Sequence, residues 1–145
     1  MQTSGLRLWL ILWKAHDSMR EHAVRHIRSL KLGFSDFAVL EVLLHKGPTP
    51  VNTIGDLVRL TSGSITVAVD RLEAKGLVER RNNSSDRRAR VVHLTKAGEQ
   101  LIRCAFADHE AAMDRAASGL SPEERDQAAA LLKKLGLHAR DLLKE

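Results

Sequence analysis

TSGSITVAVDRLEAKGLVERR, residues 61–81, changes period halfway along. In its first part Ile65, Val69 and Leu72 recur at spacings of four and three, so they share one face of an α-helix. Thr61 supplies an N-cap hydroxyl and Gly76 a stop, which predicts a helix over 62–75. The other face of that helix shows Ser62, Thr66, Val67, Asp70 and Arg71. From Leu77 to Arg81 the pattern becomes strand-like, and Ala89 to Leu94 is a second such run. Between the two lies a polar, turn-forming loop from Asn82 to Arg88. A hairpin that directly follows a small, outwardly polar helix reads as a wing.

Upstream, Thr53 to Leu60 makes a short helix, with Thr53 as cap and Asp56 returning the hydrogen bond. Thr49 to Asn52 is expected to be extended, because Thr49 precedes Pro50. Two short helices joined by a tight turn form a helix-turn-helix. Before them, Ser35 is the expected N-cap of a helix carrying Phe37, Leu40, Val42, Leu43 and Leu44, with Asp36 in its first turn and Gly47-Pro48 at its end. Residues 6–30 form one long helix with an uneven apolar stripe through Trp9, Leu12, Trp13, Met19, Val24, Ile27 and Leu30. Downstream, Thr95 caps a helix to about Ser118. Ser121-Pro122-Glu123-Glu124 opens a last helix striped with Ala128, Leu131, Leu132, Leu135, Leu142 and Leu143, which Gly136 bends or interrupts.

The expected architecture is mainly α with a small β-hairpin wing: a winged helix-turn-helix on a helical dimerisation scaffold. Residues 1–30 form an N-terminal dimerisation helix, 31–95 the winged helix-turn-helix, and 96–145 the C-terminal dimerisation helices.

Composition agrees. Hydrophobic residues make up 43% of the chain and aromatics only 3%, with no tyrosine, so the core is aliphatic and suits packed helices. Charge is uneven: residues 1–98 hold 16 basic and 9 acidic groups, residues 99–145 hold 7 and 9. The basic part is the one suited to a polyanion. No apolar run is long enough to span a membrane, and no cleavage site follows Leu6–Trp13, so a cytoplasmic protein without a signal peptide is expected. The single cysteine, Cys104, fits a reducing compartment and is read as a buried structural thiol rather than a redox sensor. No nucleophile elbow, phosphate loop or HExxH motif appears, and Glu123 with Glu124 is explained as a helix start, so no catalysis is expected.

Several runs together carry a resemblance: Phe34-Ser35-Asp36-Phe37-Ala38-Val39-Leu40, Asp56-Leu57, Asp70-Arg71-Leu72-Glu73-Ala74-Lys75-Gly76-Leu77-Val78-Glu79-Arg80, Asp86-Arg87-Arg88-Ala89 and Leu94-Thr95-Lys96-Ala97-Gly98. At these spacings the chain resembles MarR-type regulators over nearly its whole length. The resemblance implies a homodimer that binds a pseudo-palindromic operator in double-stranded DNA, usually represses, and often releases DNA when a small molecule or oxidant binds. It also implies that Asp86 and Arg88 pair, so that the loop presents an arginine to the minor groove.

The major groove admits one helix, whose N-terminal side chains read base edges. Ser62, Ser64 and Thr66 are the candidates for bases or phosphates, and Gly63 permits close approach of backbone to DNA. Val67 departs from the polar or basic residue relatives place there and is able to touch a thymine methyl group. Arg71 is expected to meet a phosphate or to pair with Asp70 or Glu73. In the wing, Arg80, Arg81, Arg87, Arg88 and Arg90 lie within eleven residues, against Glu79 and Asp86, a density that favours a narrow minor groove over a solvated turn.

Leu8, Trp9, Leu12 and Trp13 of the first helix, with Leu131, Leu132, Leu135 and Leu142 of the last, are expected at a dimer interface. A small-molecule effector pocket is expected near Trp13, His16 and Phe106. His22 and His26 have the i, i+4 spacing that can chelate zinc, but no third ligand stands beside them, so neither metal nor cofactor is expected. Two other classes compete: a winged helix used for protein–protein assembly, and one that binds RNA. The first would lack a basic wing beside a polar helix. The second would expose aromatics for stacking, whereas Trp9, Trp13, Phe34, Phe37 and Phe106 are assigned to core or dimer faces.

Overall fold

The computed structural model describes residues 2–83 and 86–145, and of residues 83 and 86–89 the backbone alone. Its elements are α1 (Gly5–Ser29), α2 (Phe34–Lys46), β1 (Thr49–Pro50), α3 (Val51–Val58), α4 (Ser62–Ala74), β2 (Val78–Asn83), β3 (Asp86–Leu94), α5 (Lys96–Ala116) and α6 (Pro122–Leu142). The three strands form one antiparallel sheet in the order β1-β3-β2. Among the described residues, no helix is long and apolar enough to cross a membrane.

The core is aliphatic, as the composition requires. Leu40 of α2, Ile54 of α3, Ile65, Val69 and Leu72 of α4, Val78 of β2, Val92 of β3 and Ile102 of α5 are all fully buried, with Phe37 their one aromatic companion. The spacing of Ile65, Val69 and Leu72 placed them on the inner face of α4. Thr61 caps that helix, accepting from the Ser64 amide at 3.2 Å. The helix ends at Gly76, whose φ of +71° closes the turn as the Leu77 amide reaches back to the Leu72 carbonyl at 3.0 Å.

The Leu-Thr-x-x-Gly run has a structural reason. Thr95 donates its hydroxyl to the Gly76 carbonyl at 2.6 Å and accepts from the Gly98 amide at 3.1 Å. A Cβ on Gly98 would lie 1.9 Å from the Leu77 carbonyl oxygen. Only glycine lets α5 start so close to the base of β2.

Some local expectations fail. Ser35 is not a cap: α2 starts two residues earlier, at Phe34 behind Gly33, and Asp36 turns inward instead of standing at an open helix end. Thr53 does not cap α3, which begins immediately after Pro50 with no side-chain cap bond. The segment 49–52 is extended only over Thr49 and Pro50, because pairing with Val92 and Val91 holds those two residues and the chain then turns into α3. The wing strands run further than expected, to Asn83 and from Asp86. Cys104 is exposed, not buried, because α5 buries the ridge of Gly98, Ile102 and Ala105 and Cys104 lies to one side. Phe34 is likewise half exposed. The capping box at Ser121 is present, and α6 runs through Gly136 without interruption.

Candidate nucleic-acid interface

Burying Ile65, Ala68, Val69 and Leu72 leaves the opposite side of α4 exposed, with Ser62, Gly63, Ser64, Thr66 and Val67 in its first turns. Thr61 donates to Ser64 Oγ at 3.0 Å, and Thr66 donates its hydroxyl to the Ser62 carbonyl at 2.8 Å. Thr66 therefore has acceptor capacity left, but its one hydrogen is in use.

Ion pairs grip this helix from both flanks. On one side the Asp36 carboxylate, 3% exposed, accepts from Arg71 Nη2 at 2.8 Å and from Arg71 Nε at 3.3 Å, and Lys75 Nζ stands 4.0 Å from its second oxygen. This overturns the expected partners of Arg71, since neither Asp70 nor Glu73 takes it. The hydrogen bond to Asp36, and then its charge, raise the Arg71 guanidinium above its ordinary value. Arg71 stays half exposed and lines a groove with Ser35, Thr61, Gly63, Ser64 and Val67. On the other side Arg80 of β2 donates to Asp70 Oδ1 at 2.6 Å and to Glu73 Oε1 at 3.0 Å, and its amide donates to Glu73 Oε2. The Arg80 side chain is only 12% exposed. It belongs to the joint between wing and helix rather than to the wing's outer surface. Strand alternation carried the signal, since Val78 points into the core and Arg80 follows two residues on.

Arg81 and Arg90 are exposed on the two wing strands, and Arg81 pairs with Glu79. The side chains of Asp86, Arg87 and Arg88 lie outside the described residues. Together α4, Arg71 and the exposed wing cations form a surface with short side chains in the middle and positive charge around it, a shape suited to a nucleic-acid groove.

Leu8, Trp9, Leu12 and Trp13 of α1 and Leu131, Leu132, Leu135 and Leu142 of α6 are all exposed. Leu135 and Ala139 of α6 line a cavity of about 580 Å³ together with Leu8, Trp9, Leu12, Trp13 and His16 of α1. Phe106 is not among its lining residues. It packs instead between α2 and α5, with its ring 4.7 Å from His45. His22 and His26 do not act as a pair: Nδ1 of His26 faces Nδ1 of His109 at 3.0 Å, while His22 lines a separate groove with Ser18, Glu21 and Arg25. Among the described residues, no group of three or more histidine, cysteine or carboxylate side chains is placed to hold a metal ion.

The chain is similar to known proteins. The MarR family model matches residues 35–89. The HTH-type transcriptional regulator MhqR of Bacillus subtilis is 41% identical over 140 residues, which cover 97% of this chain and 97% of MhqR. A mutant MarR from E. coli, solved in complex with operator DNA, has a similar structure: TM-score 0.77, 22% identity, 88% of this chain and 92% of that one covered. So does BpsR of Bordetella bronchiseptica, solved to explain regulation of its DNA binding by 6-hydroxynicotinic acid, with TM-score 0.78, 24% identity and coverage of 90% and 98%.

Proposed function

The chain belongs to the MarR family of DNA-binding transcriptional regulators, and from that premise we propose that it acts in the cytoplasm as a homodimeric repressor of a pseudo-palindromic operator, relieved by a small-molecule or oxidative signal. One observation carries the reading: the exposed first turns of α4, Ser62 to Val67, present only short side chains, on a helix fixed from both flanks by Asp36–Arg71 and Arg80–Asp70, beside a basic wing. A helix held this way can enter the major groove without rearranging, while the wing arginines Arg81, Arg87, Arg88 and Arg90 meet phosphates or the minor groove.

The dimer follows from what α1 and α6 leave uncovered. No residue of α6 is buried, although five leucines between Leu131 and Leu142 are exposed on it. Packing these helices on a second copy would bury on the order of 2,000 Å², the range of obligate interfaces. Two copies would set their recognition helices about 34 Å apart, one turn of DNA. Operator DNA on E. coli MarR and an organic acid acting on BpsR support the operator and the effector. Trp13 and His16 are the residues we assign to an effector, since both line the α1–α6 cavity.

The test is a salt titration of binding to duplex DNA and duplex RNA, with sedimentation at micromolar concentration. DNA affinity is expected to fall steeply with salt, and Arg87→Ala and Arg88→Ala to flatten the slope by about one unit each. Equal affinity for RNA, or a monomer in sedimentation, would overturn the reading. An effector is sought by screening small organic acids for both a melting shift and release of DNA.

A further inference from the structure

We propose that Val67 is a residue through which α4 reads sequence, by packing its isopropyl group against the C5-methyl of a thymine in each half-site. The inference deepens the operator-binding reading and rests on it.

The geometry is that of a ridge. With Ile65, Ala68, Val69 and Leu72 facing the core, the line furthest from the core runs through Gly63, Val67, Asp70 and Ala74, at steps of four, three and four residues. Several polar groups around this ridge spend part of their hydrogen-bonding capacity within the protein. The Thr66 hydrogen goes to the Ser62 carbonyl, and Ser64 Oγ takes the Thr61 hydroxyl. Asp70 is held by Arg80 and Arg71 by Asp36. Gly63 stands one turn before Val67 with no side chain, and a Cβ there would meet nothing within 4 Å. Nothing on that side screens Val67, which is 52% exposed.

A valine in that position makes no hydrogen bond, so it distinguishes bases only by shape and polarity. The C5-methyl of thymine is the one apolar group on the base edges in the major groove. Against it, Val67 gains apolar contact. Against the amino group of cytosine or the acceptors of guanine, it removes water and offers no replacement bond. Val67 thus selects thymine and rejects G·C at the same position.

The experiment starts from an operator selected by the full-length protein out of a random duplex pool. Each thymine is then replaced in turn by deoxyuridine, which deletes the methyl group and keeps every hydrogen-bonding atom. One symmetric pair of thymines is expected to lose affinity by about four-fold per half-site, the effect of one buried methyl group. Val67→Ala, whose surface position spares the fold, is expected to lose a similar factor on the thymine operator. It should then be indifferent to deoxyuridine at that pair, while other positions respond as in wild type. Tolerance of deoxyuridine at every position, or a Val67→Ala variant still sensitive at the same pair, would overturn the inference and leave operator binding standing. A pool that yields no enriched sequence would overturn both.

Discussion

α4 and α6 are both helices begun by a hydroxyl cap, Thr61 in one and Ser121 in the other, and both are rich in aliphatic residues. They differ in what they do with that apolar content. The 13 residues of α4 put Ile65, Ala68, Val69 and Leu72 into the core, and its exposed side is polar apart from Val67 and Ala74. The 21 residues of α6 bury nothing, and Leu131, Leu132, Leu135, Leu137 and Leu142 face outward. A helix finished within its own chain offers a surface to a polar partner. A helix left unfinished asks for an apolar one, and on our reading that partner is a second copy. The two ends of the molecule are thus matched to different partners by the same local chemistry.

Three measurements would break or sharpen this contrast. The largest effect is expected from Leu135→Asp, which places a charge in the cavity lined by α6 and α1 and, in the proposed dimer, against the second copy. Sedimentation at micromolar concentration should show loss of the dimer, with melting that no longer depends on protein concentration. A dimer that survives the substitution would remove the distinction drawn between the helices. Gly98→Ala strikes the self-contained half, where the new Cβ would overlap the Leu77 carbonyl oxygen at 1.9 Å. A loss of about 3 kcal/mol in urea unfolding is expected, from overpacking against backbone that cannot move aside. An alanine tolerated there would mean that α5 does not begin as tightly against β2 as described.

The smallest effect belongs to the seam between the halves, where His26 of α1 meets His109 of α5 and the Phe37 ring lies tilted against His109, 4.9 Å away. Burial first, and the nearby His26 second, hold His109 below its ordinary value of 6.5. A histidine whose folded value is depressed binds fewer protons folded than unfolded. Its contribution is therefore present above 6.5 and lost progressively as pH falls from there through the lower folded value. Urea midpoints measured from pH 7.5 downward should decline, and His109→Gln should flatten the decline. An unchanged slope would mean that another group sets the acid sensitivity.

The sequence by itself determined the features that depend on neighbours along the chain. The Thr61 and Ser121 caps, the Gly76 stop, the inward row Ile65, Val69 and Leu72, and the hairpin between neighbouring strands all follow from chemistry local along the chain. The surface we propose for DNA was legible for the same reason, because an amphipathic helix names its exposed side once its buried side is known. What only the tertiary structure decided are contacts between distant residues. Asp36 reads as an ordinary first-turn carboxylate until α2 and α4 pack together and it becomes the buried partner of Arg71, 35 residues away. Arg80 reads as one of five wing arginines until the hairpin folds back and Asp70 and Glu73 claim it. Pro50 joins a sheet only because Val91 returns to pair with it, and Cys104 reaches the surface because Ile102 and Ala105 take the buried side of α5. In each case local chemistry allowed several partners, and the packing of the core left room for one.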